Sequence, residues 1–228
     1  MQNPNNTGFF SFRADANAVG GFLEKPLRKP LPTLAPVSLP AVGGFALARS
    51  EGFTLDNLIS CKSAFSRVSG EENEDGTVSI QVASVVEGLN LLEVVEAERV
   101  VAQLSILISK DRKILKLSTA GSRFERLVVA GDHRVPLLQN SQMVCDTSNL
   151  PEGQTAENAW VSLVGGFGKK AEAGGHIVDI PEFGRFVFGE LLITPTSVQM
   201  ISIRAELGCP VKGRISINCA GGGGVNDY

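Results

Sequence analysis

The sequence predicts an all-β protein: an antiparallel β-sandwich or jelly-roll-like body preceded by an extended, proline-rich N-terminal arm. Short segments of alternating apolar and polar residues recur from Phe45 onward, and glycine-rich turns separate them. Prolines are concentrated near the start, since six of the eleven occur within the first 40 residues. A β-solenoid is the alternative, because one sequence does not show how its strands stack.

The predicted arm comprises residues 1–40. Proline fixes φ, removes an amide donor and biases the preceding residue towards extended geometry, so the segment LEKPLRKPLPTLAPVSLP cannot form a regular helix. One short strand is expected at residues 9–13. The apolar side chains of the arm need a cover, either this chain's own core or a neighbouring protomer. The candidate interface residues are Phe9, Phe10, Phe12, Phe22, Leu31 and Leu34.

Residues 41–219 are expected to form one β domain. A hairpin is predicted from residues 64–69 and 77–86, with turn residues at Asp75-Gly76. Residues 87–98 fit either a helix or a strand. The glycine-rich residues 220–228 are predicted to be a flexible tail. Further strands are predicted at 100–108, 113–118, 124–130, 176–180, 185–193, 199–206 and 214–218.

Composition narrows the possible partners and locations. The 228 residues are 43% hydrophobic with a net charge of −3, which is typical of a globular domain and gives no basic surface for nucleic acid. The first 30 residues contain no Sec signal pattern, and no apolar run is long enough to span a bilayer. We therefore predict no nucleic-acid partner and no transmembrane segment. Localisation stays open between the cytoplasm, export by another route and a processed mature form.

The four cysteines, Cys61, Cys145, Cys209 and Cys219, contain no C-x-x-C pair, so we predict no zinc site. Cys209 and Cys219 flank the segment PVKGRISIN, in which Pro-x-x-Gly could reverse the chain and bring the two thiols together. This pair is the candidate disulfide. Buried free thiols are the alternative.

No motif commits the chain to an enzymatic reaction. G-x-S-x-G is absent, and residues 164–170, VGGFGKK, lack the first glycine and the Ser/Thr of a phosphate-binding loop. His133 and His176 could each act as a general base only if folding supplied a partner. The acidic residues 71–75 lack calcium-loop spacing, which favours a solvated turn. We predict no catalytic residue, no metal site and no cofactor.

Three short phrases occur in order along residues 78–219. They contain Asn90, Leu91 and Leu92, then Phe124, Leu127, Val129 and Gly131, then Ile180, Pro181, Gly184 and Glu190. Together they resemble the β domain of bacterial choice-of-anchor surface proteins, the P-type in particular. The resemblance implies an exported, envelope-associated, all-β structural domain without assigned chemistry. The chain departs from the pattern in lacking a visible signal peptide and C-terminal anchor, and in having Glu93 and Glu96 where small residues are usual.

These observations favour a non-enzymatic structural or interaction protein that forms homo-oligomers through its apolar arm or through a strand edge. One alternative is a secreted β-rich effector or toxin that acts on a cell surface or membrane, because alternating strands such as residues 100–108 are compatible with insertion. Another alternative is a hydrolase that uses carboxylates or a histidine. Small-ligand binding is the last.

Overall fold

The structure is a computed structural model that describes residues 9–26, 28–111, 114–131, 137–138, 142–146, 159–162, 164–165, 176–193, 197–208 and 211–227. These ranges contain strands joined by turns and irregular segments, and no helix. Two antiparallel sheets of eight strands each pack face to face with apolar residues between them. The predicted all-β sandwich is confirmed. The β-solenoid alternative is wrong, because the strands pair antiparallel within two sheets.

The strands vary widely in length, from two residues to seventeen. In chain order they are β1 (Phe9–Lys25), β2 (Lys29–Pro30), β3 (Val37–Ser38), β4 (Gly44–Leu55), β5 (Ile59–Glu72), β6 (Val78–Leu91), β7 (Val95–Ile108), β8 (Ile114–Ser118), β9 (Arg123–Glu125), β10 (Val128–Val129), β11 (Leu137–Leu138), β12 (Gln142–Asp146), β13 (Ala159–Ser162), β14 (Val164–Gly165), β15 (His176–Ile180), β16 (Gly184–Ile193), β17 (Ser197–Leu207) and β18 (Lys212–Asp227).

The first sheet has the order β13-β16-β17-β18-β1-β2, with β15 paired to β16 and β3 paired to β1. Its central pair joins the two ends of the described chain, since β1 and β18 run antiparallel from Phe9 opposite Asp227 to Lys25 opposite Lys212. Residues 29–38 then follow the other side of β1 as an interrupted edge, through β2, a bridge at Leu34 and β3.

This pairing corrects the predicted division into an arm, a domain and a tail. The short strand expected at residues 9–13 extends to Lys25 and lies inside the sheet. The flexible tail expected at residues 220–228 is wrong over its described part, because β18 continues to Asp227 between β1 and β17. Two of its glycines make room for neighbouring side chains: a Cβ on Gly224 would lie 2.3 Å from Cζ of Phe10 on the adjacent strand β1, and one on Gly222 would lie 2.9 Å from Cδ1 of Ile106 in the opposite sheet.

The second sheet has the order β12-β8-β7-β6-β5-β4, with β9 and β10 paired to β7. The predicted hairpin is confirmed and longer than expected, since β5 and β6 pair from Glu72 opposite Val78 to Ile59 opposite Leu91. The helical alternative for residues 87–98 is wrong. The chain turns there at Leu92 and Glu93, which both have positive φ, and Val94 N donates to Leu91 O at 3.0 Å.

The later predicted strands are found with shifted ends. The strand expected at residues 176–180 coincides with β15, and those expected at 185–193 and 199–206 lie within β16 and β17. The strand expected at 124–130 is interrupted, because Arg126 has a positive φ between β9 and β10. A small third sheet pairs β11 with β14.

A row of four residues crosses β4, β5, β6 and β7 of the second sheet and reverses the inward and outward directions of their side chains. On β6, even-numbered residues from Val78 to Val86 point inward, whereas beyond the row Leu89 and Leu91 do so. The cross-strand register is the same on both sides of the row, so the strands change phase together. The row consists of Gly52, Lys62, Gly88 and Glu98.

The first sheet has an equivalent row at Ala18, Asn218, Ser202 and Gly189. Asn218 has φ 52° and is fully buried. Its side chain reaches the opposite sheet, where Nδ2 donates to Val100 O at 2.8 Å and Oδ1 accepts from Ser84 Oγ at 3.0 Å. This polar bridge lies between two apolar clusters, one on each side of the rows.

None of the described residues belongs to a helix long and apolar enough to cross a membrane.

Candidate interaction surface

The strand β4 forms an edge of the second sheet. Its only partner among the described strands is β5, which it pairs with from Gly44 opposite Gly70 to Leu55 opposite Ile59. No other described strand pairs with it, so among the described residues its other side presents backbone N–H and C=O groups to another strand.

Large apolar side chains lie on the solvent face of this edge. Phe45 is 63% exposed and Leu47 is 53% exposed, while Ala46 and Ala48 face the core. Val42, in the turn before β4, is 72% exposed. Single exposed apolar residues are ordinary in proteins, but three on or beside one edge strand are characteristic of an interaction site.

Two further apolar side chains lie on the outward face of the neighbouring strands. Phe65 and Val85 lie opposite each other on β5 and β6, and both are half-buried on the outward side. Charged residues lie among these side chains: Arg67 is opposite Leu47, and Arg49, opposite Phe65, pairs through Nε with Glu51 Oε1 at 2.6 Å. We call the set Val42, Phe45, Leu47, Phe65 and Val85 the β4 surface.

The structure corrects the interface predicted on the arm. Phe10, Phe12, Leu31 and Leu34 are 4–7% exposed and belong to this chain's own core, so they cannot meet a partner without unfolding. Phe10 and Phe12 pack edge to face with ring centroids 4.9 Å apart. Phe22 is half-buried, with the Arg28 guanidinium 5.7 Å from its ring centre. Phe9 pairs through its backbone with Asp227, and its side chain lies outside the described residues.

Sequence reasoning missed the β4 surface although the sequence contains a signal for it. In the segment FALARSE, Phe45, Leu47, Arg49 and Glu51 alternate with two alanines and a serine. A strand places alternate residues on one face, and the face that carries Arg and Glu is the solvent face. Phe45 and Leu47 are therefore expected in solvent as soon as β4 is assigned.

The predicted Cys209–Cys219 disulfide is wrong, because Cys219 carries a free thiol. Cys209 follows Leu207, the last residue of β17, by two positions. Leu207 lies opposite Gly213, near the start of β18, and Cys219 is six residues further along that strand. At about 3.3 Å per residue, Cys219 is roughly 20 Å from that end, beyond the reach of a disulfide. Cys209 itself lies outside the described residues. Cys61 is also free and buried, which agrees with the free-thiol alternative.

The described titratable groups do not form an activated nucleophile. Burial raises the pKa of the Cys219 thiol to about 11, so it is protonated at neutral pH. Burial lowers the pKa of His176, which keeps the ring neutral. Glu190 is 1% exposed and is held by Arg204 through two hydrogen bonds of 2.7 Å. His133 lies outside the described residues.

In the acidic turn at residues 71–77, Asn73, Asp75 and Thr77 hydrogen-bond to one another. Asp75 Oδ1 accepts hydrogen bonds from Thr77 N at 2.9 Å and Thr77 Oγ1 at 2.6 Å, and these bonds lower the pKa of Asp75. Asn73 Nδ2 donates to Thr77 Oγ1 at 2.8 Å. No group of three or more His, Cys, Asp or Glu side chains in the described part of the chain could hold a metal ion.

A family model matches residues 10–163, from the second residue of β1 to the residue after β13. It is described as a domain of unknown function, DUF8256. The chain belongs to the DUF8256 family. The matched range includes the whole β4 surface. Comparison with curated proteins and with solved structures gives no match. The DUF8256 description says nothing of choice-of-anchor proteins, so that resemblance stays a prediction.

Proposed function

We propose that this DUF8256 protein is a non-enzymatic interaction protein that self-assembles through the β4 strand edge. The observation that carries the proposal is the coincidence of an unpaired strand edge with exposed Phe45 and Leu47 on the same strand. Backbone hydrogen bonds along the edge would supply affinity, and the apolar side chains would supply specificity.

Protection of the edge is weak where the apolar residues lie. Proteins usually guard a free edge with Lys, Pro, inward charges or a strong bulge. On β4 the charged residues Arg49 and Glu51 occur only after Leu47, and the segment from Gly44 to Ala48 contains no charge. Covering Phe45 and Leu47 in an interface would contribute roughly 1.5–3 kcal/mol for each side chain that becomes fully buried.

The strand edge also replaces the arm as the route to assembly. The arm's apolar residues already pack between the two sheets, with Leu31 and Leu34 in one buried cluster and Phe10 and Phe12 in the other. The β4 surface needs no rearrangement to meet a second copy. Exposed, preformed surfaces of this kind avoid the ordering cost that a detached arm would carry.

The test is the solution mass by light scattering over a concentration series. Wild-type protein is expected to exceed the 24.1 kDa of one chain as concentration rises. Leu47→Glu should shift association to at least tenfold higher concentration, because it places a charge in the apolar contact. The new Glu would lie opposite Arg67, so the fold itself should tolerate it.

Leu107→Glu is the matched control. Leu107 is also an outward leucine on the second sheet, 37% exposed, and it lies opposite the basic residue Lys116. It is on β7, three strands away from the free edge. This variant should associate like wild type. Equal association of the Leu47→Glu and wild-type proteins would contradict the proposal, as would a wild-type monomer at every concentration.

A further inference from the structure

We propose that two copies join β4 to β4 in antiparallel pairing around a two-fold axis that passes through Leu47, so that the second sheet continues from one protomer into its partner. This inference rests on the proposed function and specifies its register and stoichiometry. Two-fold pairing uses the edge of both copies, so the assembly closes as a dimer.

The side-chain directions of β4 limit the possible registers. Directly opposite residues in an antiparallel pair point to the same face of the sheet. Phe45, Leu47, Arg49 and Glu51 point outward, so each must lie opposite another outward residue. The regular part of the strand lies between two residues of positive φ, Gly44 at 108° and Gly52 at 45°. Pairing is therefore centred between residues 46 and 49.

Charge excludes two of the four registers that remain. An axis at Arg49 places the guanidinium groups of the two copies directly opposite each other, which is destabilising. An axis at Ala48 places Leu47 opposite Arg49 and Phe45 opposite Glu51, so both apolar side chains face charged ones.

Length separates the last two registers. An axis at Ala46 brings Phe45 opposite Leu47 but pairs only residues 44–48, because β4 begins at Gly44. An axis at Leu47 pairs residues 44–50. It places the two Leu47 side chains against each other and Phe45 opposite Arg49 of the second copy.

The Leu47 register also satisfies the charged residues. Arg49 keeps its 2.6 Å pairing with Glu51 of its own chain while its guanidinium covers the Phe45 ring of the second copy. Arginine over an aromatic face is a favourable cation–π arrangement. Like charges do not lie opposite each other anywhere along residues 44–50 of this pairing.

Cysteine cross-linking at the three outward positions reads the register directly. Opposite Cα atoms in an antiparallel pair are about 4.5–5.5 Å apart, which a disulfide can span, whereas a shift of two residues moves them out of range. The variants are Phe45→Cys, Leu47→Cys and Arg49→Cys in the full chain, oxidised mildly alone and in all pairwise mixtures. Wild type, with its natural cysteines, is the background control.

The expected result is an intermolecular disulfide in Leu47→Cys alone and in the mixture of Phe45→Cys with Arg49→Cys. The mixture keeps Leu47, so it tests the register even if Leu47→Cys weakens the dimer. A disulfide between two copies at position 49, between position 45 of one copy and position 47 of the other, or between positions 47 and 49 would overturn the register, and in each mixture the cross-linked peptides identify the linked positions. A wild-type dimer with no cross-link at any of these positions would also overturn it while leaving self-association intact. A wild-type monomer would instead remove the proposed function itself.

Discussion

Asn218 supports the core in two ways, through its backbone and through its side chain. Its φ of 52° lies in the left-handed region, which Asn tolerates better than most residues. Its amide bonds to Val100 O and Ser84 Oγ, both in the opposite sheet. Asparagine thus combines a backbone geometry that glycine would also allow with a donor and an acceptor that glycine lacks.

Two substitutions separate these contributions. Asn218→Gly keeps the backbone geometry and removes the buried hydrogen bonds, so we expect a loss of about 2 kcal/mol in the free energy of unfolding. Asn218→Ala adds left-handed strain and should lose roughly 1 kcal/mol more. Urea unfolding of the two variants and wild type measures both losses. Equal stability of the alanine and glycine variants would show that the backbone contribution is absent.

Cys219 should make stability depend on alkaline pH. Its pKa is raised from 9.0 to about 11 in the folded chain by burial, so the folded state holds the proton where the unfolded state loses it. The stabilisation is complete below pH 9 and is lost as pH rises towards 11, amounting to roughly 2 kcal/mol. Cys219→Ser lacks this titration. Urea unfolding measures the free energy of unfolding of both proteins between pH 8 and pH 11. Over this range wild type should lose roughly 2 kcal/mol relative to Cys219→Ser. Parallel pH profiles of the two proteins would contradict the prediction.

At the scale of elements, the turn between β6 and β7 contains two non-glycine residues in left-handed backbone geometry, and replacing one of them should raise stability. Leu92 and Glu93 have φ of 58° and 56°, as in a two-residue hairpin turn that normally favours Asn and Gly. Leu92 packs against the core, but Glu93 is exposed. Asn90 Oδ1 accepts from Glu93 N at 2.9 Å, a bond that any residue at position 93 can make.

Glu93→Gly is therefore expected to stabilise the protein by roughly 0.5–1 kcal/mol, because it removes the cost of a side chain in left-handed geometry. Glu96→Gly is the control, since Glu96 is exposed in β7 opposite Asn90 and Val128 and should lose about as much as the turn variant gains. Thermal unfolding compares both with wild type. Destabilisation by both substitutions would mean that the turn geometry contributes nothing.

The strands that alternation predicts well are those whose phase stays constant. Residues 100–108 lie on one side of the row at Glu98, and their even-numbered residues point inward without interruption. Residues 87–98 span the row and the turn, so their apolar spacing imitates a helix. The alternation of apolar and polar residues cannot reveal this reversal of side-chain direction. The reversal is set by backbone geometry that four neighbouring strands share.

At the scale of the whole molecule, the predictions for the two ends of the chain were wrong for related reasons. Proline and glycine are poor strand formers, which favoured an arm and a tail. Yet the glycines of β18 are needed where Phe10 and Ile106 fill the space between the sheets, and β1 supplies that Phe10. The need for glycine in β18 becomes visible only once β18 is paired with β1, and that pairing joins residues almost a whole chain length apart. The candidate interface was misplaced for the same reason, since apolar residues of a presumed arm have no visible partner in the sequence.

The pairing of the two ends predicts that the chain can be circularly permuted. Phe9 lies opposite Asp227, so residues 228 and 1–8 can connect the ends if residue 228 is joined to Met1. Opening the chain between Asp56 and Asn57, both exposed in the turn from β4 to β5, leaves every strand whole. This permutant should unfold cooperatively in urea with a loss of roughly 1–3 kcal/mol, the entropy of one closed turn.

Two further chains show whether the paired ends carry that result. A permutant with the same junction but opened between Ser66 and Arg67, inside β5, should show no cooperative transition, because it divides a central strand of the second sheet. A chain truncated after Ala220 should also fail, since it removes residues 221–227 of β18, all of which pair with β1 and three of which also pair with β17. Wild-type stability in the truncated chain would mean that residues 221–227 are the tail that their glycines suggest. Cooperative folding of the first permutant alone would establish that the sandwich is held by its closed set of strand pairs and not by the order in which the chain visits them.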